Sequence, residues 1–254
     1  MLRFPLRLTA ELARARFAPG VQPIQFVDAA EILHHDSTHL VSHEEVRKLT
    51  SSPSPVIWIG GSEPLEHPGI AHLIRAIGGS GHFVFLETDG ALLRRRIHEF
   101  QPVPRLFVTV RLDPGAHRRA STPLLASACE LAAEGLRAAS LSGFLLCVSV
   151  RVHAQTELAE LAEVIQFARS LGVDGMVITS ANGNSNSAGS DSTAVQRTTA
   201  EARKLIGSKW WEVFSRLLEP VLMGERSGAR NAETKTVVHQ QEESQPSEEG
   251  IKVA

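Results

Sequence analysis

Six short apolar runs, at residues 23–27, 56–59, 82–87, 106–112, 144–152 and 173–179, punctuate this chain. Each is rich in Val, Ile, Leu or Phe, as expected of strands buried on both faces of a sheet. The segments between them repeat apolar residues at helical spacing, as Leu158, Leu161, Ile165 and Ala168 do. Helices are predicted over 69–77, 91–100, 122–139 and 157–171, and Ser42 with Glu45 forms a capping-box pattern that opens another. Gly78-Gly79 stops the helix over 69–77, and Thr88-Asp89-Gly90 is a turn signal after the third strand. In the helix over 91–100, Arg94, Arg95 and Arg96 read as a solvated face, and Pro102 and Pro104 end it.

Strand and helix alternate with short connections, which implies a parallel sheet with right-handed crossovers. Six strands suit a partial, open α/β barrel better than a closed eight-stranded one, and a doubly wound open sheet has the same periodicity. Residues 1–20 hold an amphipathic helix, with Leu8, Leu12 and Ala15 on one face, arginines on the other, and Pro19-Gly20 as its stop. Residues 21–181 form the α/β unit. The Asn-, Ser- and Gly-rich stretch 182–198 reads as a linker, and 199–223 as a C-terminal helix carrying Trp210, Trp211, Phe214, Leu217 and Leu218. The polar, charge-rich tail 224–254 is expected to be disordered.

Composition narrows the function classes. A formal charge of −2 gives no global attraction to nucleic acid or to an anionic membrane, and basic residues do not interleave with Trp210-Trp211 as in a base-stacking platform. No apolar run approaches the roughly 20 residues of a membrane span, and the start Met1-Leu2-Arg3-Phe4-Pro5 has no signal-peptide apolar block, so a cytoplasmic location is expected. Cys129 and Cys147 are the only cysteines, too few for a disulfide framework or a four-cysteine metal site. No phosphate loop or nucleophile elbow occurs. The N- and C-terminal helices are the surfaces on which a protein partner is expected, though each also reads as domain packing.

The candidate chemistry concentrates at Gly60-Gly61-Ser62-Glu63-Pro64, directly after the second strand. Paired glycines let the backbone turn sharply and approach a ligand, and Glu63 places a carboxylate at the strand end where α/β sheets bind ligands. A plain strand-to-helix turn is the alternative. Two further features are weaker. The polar loop 28–41 carries His34, His35, Asp36 and His39, with His43 beyond it, which read as zinc ligands or as an ordinary surface loop. Glu87, Asp113 and His117 are candidates to line the C-terminal mouth, although Asp113-Pro114-Gly115 is also a simple turn.

Gly60-Gly61-Ser62-Glu63-Pro64-Leu65-Glu66-His67-Pro68 resembles the Gly-Gly-Glu-Pro-Leu-x-x-x-Pro signature of radical S-adenosylmethionine (SAM) enzymes. Thr88-Asp89-Gly90 is similar to that family's Thr-Asn-Gly after strand three, and Gly172-Val173-Asp174-Gly175 fits the approach to strand six. The resemblance covers about residues 20–180 and implies a radical-SAM-like partial (β/α)6 barrel with an N-terminal helix and a C-terminal helical extension. It implies SAM as cofactor, with Gly60, Gly61, Glu63 and Thr88 as its binding residues. Ser62, inserted between the second glycine and Glu63, alters the direction of that carboxylate.

The family also carries Cys-x-x-x-Cys-x-x-Cys in the loop after strand one, where it holds a [4Fe–4S] cluster. Here the corresponding loop, 28–41, contains no cysteine. The ligands of the expected cluster are therefore absent, and iron–sulfur clusters are held by thiolates with histidine as a limited exception. The reading is a degenerate family member: a pseudoenzyme or partner subunit that retains binding of SAM or a similar ligand. An enzyme with cluster-independent chemistry, or with an atypically ligated metal, is the alternative.

Overall fold

In the computed structural model, the described residues are 6–32, 41–115, 123–180 and 190–206, with Trp211 and Leu218. Helix α1 (Leu6–Phe17) precedes β1 (Ile24–Asp28), a short α2 (Ala29–Ile32) and α3 (His43–Thr50). Then come β2 (Val56–Gly60), a 3-10 turn (Pro64–Glu66), α4 (Ile70–Gly79), β3 (Phe83–Thr88) and a short α5 (Leu93–Arg96). The chain continues through β4 (Leu106–Leu112), α6 (Pro123–Leu141), β5 (Leu145–Val152), α7 (Leu158–Ser170), β6 (Gly175–Ser180) and α8 (Ser190–Ile206).

All six strands are parallel and stand in sequence order, β1 to β6. Side chains alternate across this sheet as the two-residue period of a strand requires. Ile57 and Ile59 join the core under the helices, whereas Val56 and Trp58 join a second core on the other face. Val84 and Leu86 divide in the same way from Phe83 and Phe85. Both faces are thus buried, which is why the strands are apolar throughout.

The second core is built around one layer set by register: Phe26, Trp58, Phe85, Phe107 and Leu145 stand side by side on five strands. Trp58 stacks on Phe85 with ring centroids 5.0 Å apart, and Phe85 on Phe107 at 4.5 Å, with the rings almost parallel. Leu8 and Leu12 of α1 and Leu218 pack into the same cluster, so the apolar stripe of α1 is occupied within the chain.

The helices follow from their caps and stripes. Ser42 Oγ accepts from the Glu45 N–H, and Glu45 returns the bond to the Ser42 N–H at 3.1 Å, which is the predicted capping box. At the start of β6, Asp174 accepts from the Leu146 N–H through its carboxylate and donates its own N–H to the Leu146 carbonyl, both at 2.9 Å.

Three expectations need correction. Residues 29–32 are helical rather than part of a polar loop, because Ala29 and Ile32 are buried and Asp28 accepts from the Ala30 N–H at 2.8 Å. The helix predicted over 91–100 is instead the four-residue α5 followed by a 3-10 turn (Ile97–Glu99). Its Arg96 is not solvated: the guanidinium donates to the Leu65 and His67 carbonyls and pairs with Glu99, and these ties govern the backbone there.

The third correction concerns the stretch 182–198, where α8 already begins at Ser190. Val195, Thr199, Ala202 and Ile206 form its buried stripe. Small and hydroxyl-bearing residues masked that stripe in the sequence, and the Thr199 hydroxyl is satisfied by the Val195 carbonyl at 2.7 Å. Arg169 of α7 holds the end of α8 through the Leu205 and Ile206 carbonyls, and Trp211 donates its indole N–H to Val173 O at 3.0 Å. No helix among the described residues is long and apolar enough to cross a membrane.

Candidate functional site

The C-terminal ends of β1, β2 and β3 bring three carboxylates around the glycine turn. Gly60 ends β2, and a Cβ placed there would lie 2.6 Å from Glu87 Oε2. Gly61 has φ +88°, a left-handed backbone, and a Cβ there would lie 2.4 Å from Asp28 Oδ1. A side chain at either position would force the neighbouring carboxylate to shift, and Gly61 is favoured by its conformation as well. The Ser62 N–H reaches Asp28 Oδ1 at 3.5 Å, so the inserted serine continues the turn over β1.

Glu63 follows as the N-cap of the 3-10 turn. Its Oε1 accepts from the Leu65 N–H at 3.0 Å and from Thr88 Oγ1 at 2.7 Å, and its Oε2 accepts from the Asp89 N–H at 2.8 Å. Burial of the carboxyl pushes its pKa above the ordinary 4.5, with Asp89 adding repulsion, while the Asp89, Thr88 and Leu65 donors pull the other way. A carboxylate offers about four acceptor positions, and three here are taken by the chain itself. Glu63 thus ties the glycine turn to the turn after β3.

The Thr88-Asp89-Gly90 turn is closed from its own side as well. Thr88 Oγ1 accepts from the Gly90 N–H at 3.0 Å, and Asp89 Oδ1 accepts from the Ala91 N–H at 2.9 Å. Gly90, with φ +85°, presses against α6, where an added Cβ would lie 3.0 Å from Ala132 Cα.

Beneath the turn, Glu87 is only 3% exposed. Its Oε2 accepts from Trp58 Nε1 at 3.3 Å and its Oε1 from Ser149 Oγ at 2.9 Å. Register places Glu87, Thr109, Cys147 and Gly175 in one layer, directly above the aromatic layer. Cys147 is fully buried, and burial pushes its thiol pKa well up, so it supplies no thiolate. One layer further out Arg111 on β4 stands level with Ser149, and Arg151 on β5 lies one layer beyond that, both on the inward face and half-buried.

All four residues expected from the sequence lie at this mouth: Glu63 and Thr88 bond directly, Gly60 abuts Glu87, and Gly61 abuts Asp28. Sequence reasoning missed Asp28, reading it as the start of a loop, although its place at the end of β1 was the available signal. It also missed Arg96, whose grip on the Leu65 and His67 carbonyls no local pattern announces. Asp113 is exposed after β4. His34, His35, Asp36, His39 and His117 lie outside the described residues. Among the described residues no group of three His, Cys, Asp or Glu side chains is placed to hold a metal ion.

No family model and no curated protein matches this sequence. Among solved structures, SuiB of Streptococcus suis bound to S-adenosylmethionine is similar over 79% of this chain and 51% of that chain, with TM-score 0.55 and 11% identity. A structure of TYW1 with a lysine-pyruvate adduct bound is similar over 65% of this chain and 54% of that one, with TM-score 0.45 and 13% identity. The chain spans about half the length of these structures. At such identity the likeness to SuiB speaks for architecture alone. This chain has the curled, six-stranded parallel half-barrel of the radical SAM fold.

Proposed function

We propose that the C-terminal mouth of this half-barrel binds SAM or a related adenosyl amino acid without generating a radical from it, so that the protein serves as a binding or partner subunit. The observation that carries this reading is the Gly60-Gly61 turn, flanked by the Asp28 and Glu87 carboxylates and tied through Glu63 to the turn after β3. Asp28 and the turn's own carbonyls suit an ammonium group, and Glu63 has about one acceptor position left for it. Arg111 and Arg151, on the strands farther along the sheet, suit a carboxylate. Together they complement a zwitterionic amino acid head.

The donor set speaks against a cluster of the family's kind. Such a cluster takes three thiolates from the loop after β1, and residues 29–41 contain no cysteine. Cys147 lies within β5 on the buried inward face.

Calorimetry with SAM, paired with anaerobic iron–sulfur reconstitution, tests both halves of the reading. Saturable binding to a colourless protein is the expected result. Absence of binding overturns the ligand assignment. A brown reconstituted protein that cleaves SAM overturns the non-radical one and favours an atypically ligated metal.

A further inference from the structure

A cavity of about 410 Å³ opens at the opposite end of the sheet from the glycine turn. It lies between the N-terminal ends of β3 and β4, α4, and the segment that follows α5. Its walls are apolar, drawn from Ala71, Ile74, Phe83, Phe100, Val103 and Leu106. That volume and lining fall in the range of small-molecule sites, which combine an apolar body with a few fixed polar groups.

The charged groups here are mainly basic. Arg7, Arg75 and Arg105 border the cavity, with Glu99 as the acid. Glu99 is already paired: Arg96 donates to both its oxygens, and this holds its carboxyl below the usual range. Among the described residues, the cavity border thus carries more positive than negative charge. The Arg105 guanidinium sits over the Phe83 ring, 5.2 Å from its centroid, and its buried Nη1 has no hydrogen-bond acceptor among the described residues. A buried guanidinium N–H without an acceptor is costly, and it is rare in a folded chain. An anionic oxygen entering the cavity would meet the half-buried Arg105 guanidinium that lines it, while the attached hydrocarbon replaced solvent against Phe100, Ile74 and Leu106.

We propose that this cavity binds a small apolar carboxylate, with Arg105 as the anion-recognising residue and Arg7 and Arg75 adding charge at the rim. The site is independent of the mouth described above and does not rest on the reading given to that mouth.

Octanoate and 1-octanol, titrated separately into the full chain by calorimetry, distinguish charge recognition from unspecific apolar binding. The expected result is one saturable octanoate site, with octanol at least tenfold weaker and octanoate affinity falling with added salt. Arg105→Met should weaken octanoate at least tenfold and leave octanol unchanged. Ile74→Trp, which fills the cavity, should abolish both. Should Arg105→Met fail to fold, the exposed pair Arg7→Met and Arg75→Met must still reduce octanoate affinity severalfold. Equal affinity for the two ligands, absence of octanoate binding, or binding indifferent to these arginines overturns the proposal. SAM at saturation should leave octanoate binding unchanged, so failure at one site is not mistaken for failure at the other.

Discussion

The Thr88 hydroxyl donates to Glu63 Oε1 at 2.7 Å across the gap between the turns that follow β3 and β2. With the Asp89 N–H on Oε2 of the same carboxylate, it joins two loops that are far apart in sequence. The residue expected to face a ligand is therefore first a structural tie. Glu63→Ala leaves Thr88 Oγ1 and the Asp89 and Leu65 N–H groups without their acceptor. It should cost about 1–3 kcal/mol in urea denaturation. Thr88→Val removes one of the three donors to Glu63 and also leaves the Gly90 N–H without its acceptor, and should cost about 1–3 kcal/mol.

The Glu63 carboxyl also makes stability depend on pH. Burial holds its folded-state pKa above 4.5, so the folded chain keeps a proton that the unfolded chain has released. Stability contributed by this group is fully present below 4.5 and declines as pH rises through the folded value. The difference in unfolding free energy between wild type and Glu63→Gln, measured from about pH 4 to about pH 7, should fall with pH in that window and then level. A difference that rises with pH contradicts the assignment.

Gly61→Ala tests the turn. Its φ of +88° is unfavourable for any side chain, and the new Cβ would collide with the Asp28 carboxylate. A loss of about 1–3 kcal/mol is expected from the backbone conformation alone. Asp28→Ala in the same chain should recover the part due to collision and leave the conformational part, which a double-mutant cycle separates. Full recovery would show that φ is not the constraint.

Glu87 is buried with Trp58 and Ser149 as its donors. Glu87→Leu strands both donors against the aromatic layer and should cost about 1–3 kcal/mol or more. Glu87→Gln keeps an acceptor and should cost less. The near-ultraviolet circular dichroism of Trp58, stacked on Phe85, reports whether the layer holds. An unchanged spectrum in both variants would mean that Glu87 does not position the indole.

Arg96 anchors the chain just after the candidate site through the Leu65 and His67 carbonyls and Glu99. Arg96→Lys should not rescue Arg96→Met, because one ammonium cannot reproduce the guanidinium fork. Both variants should lose about 1.5–3 kcal/mol. Amide exchange at residues 65–69 should quicken in both, and slow exchange in the lysine variant would refute the fork argument.

Much of the barrel was legible because burial on both faces leaves a local mark. Val56 to Ile59 and Leu106 to Leu112 read as strands from apolar, β-branched composition alone, and Ser42 with Glu45 announced its own cap. The stretch 91–100 was not legible, since Arg96 takes its conformation from carbonyls about thirty residues earlier. The stripe of α8 was hidden because Thr199 can be buried once a carbonyl of its own helix satisfies it.

By itself the sequence determined the alternation of strand and helix, the glycine turn at Gly60-Gly61 and the absence of cysteine from residues 28–41. These depend on which residues are present and on their spacing. Only the tertiary structure decided the use of Glu63, which three donors from two turns claim, and the pairing of Asp28 with Gly61 and Glu87 with Gly60. It alone placed the Arg105 guanidinium over the Phe83 ring. The reason is physical: strand and helix periodicity is set by neighbours along the chain, whereas the partner of a carboxylate or guanidinium is set by whatever the parallel sheet brings alongside it.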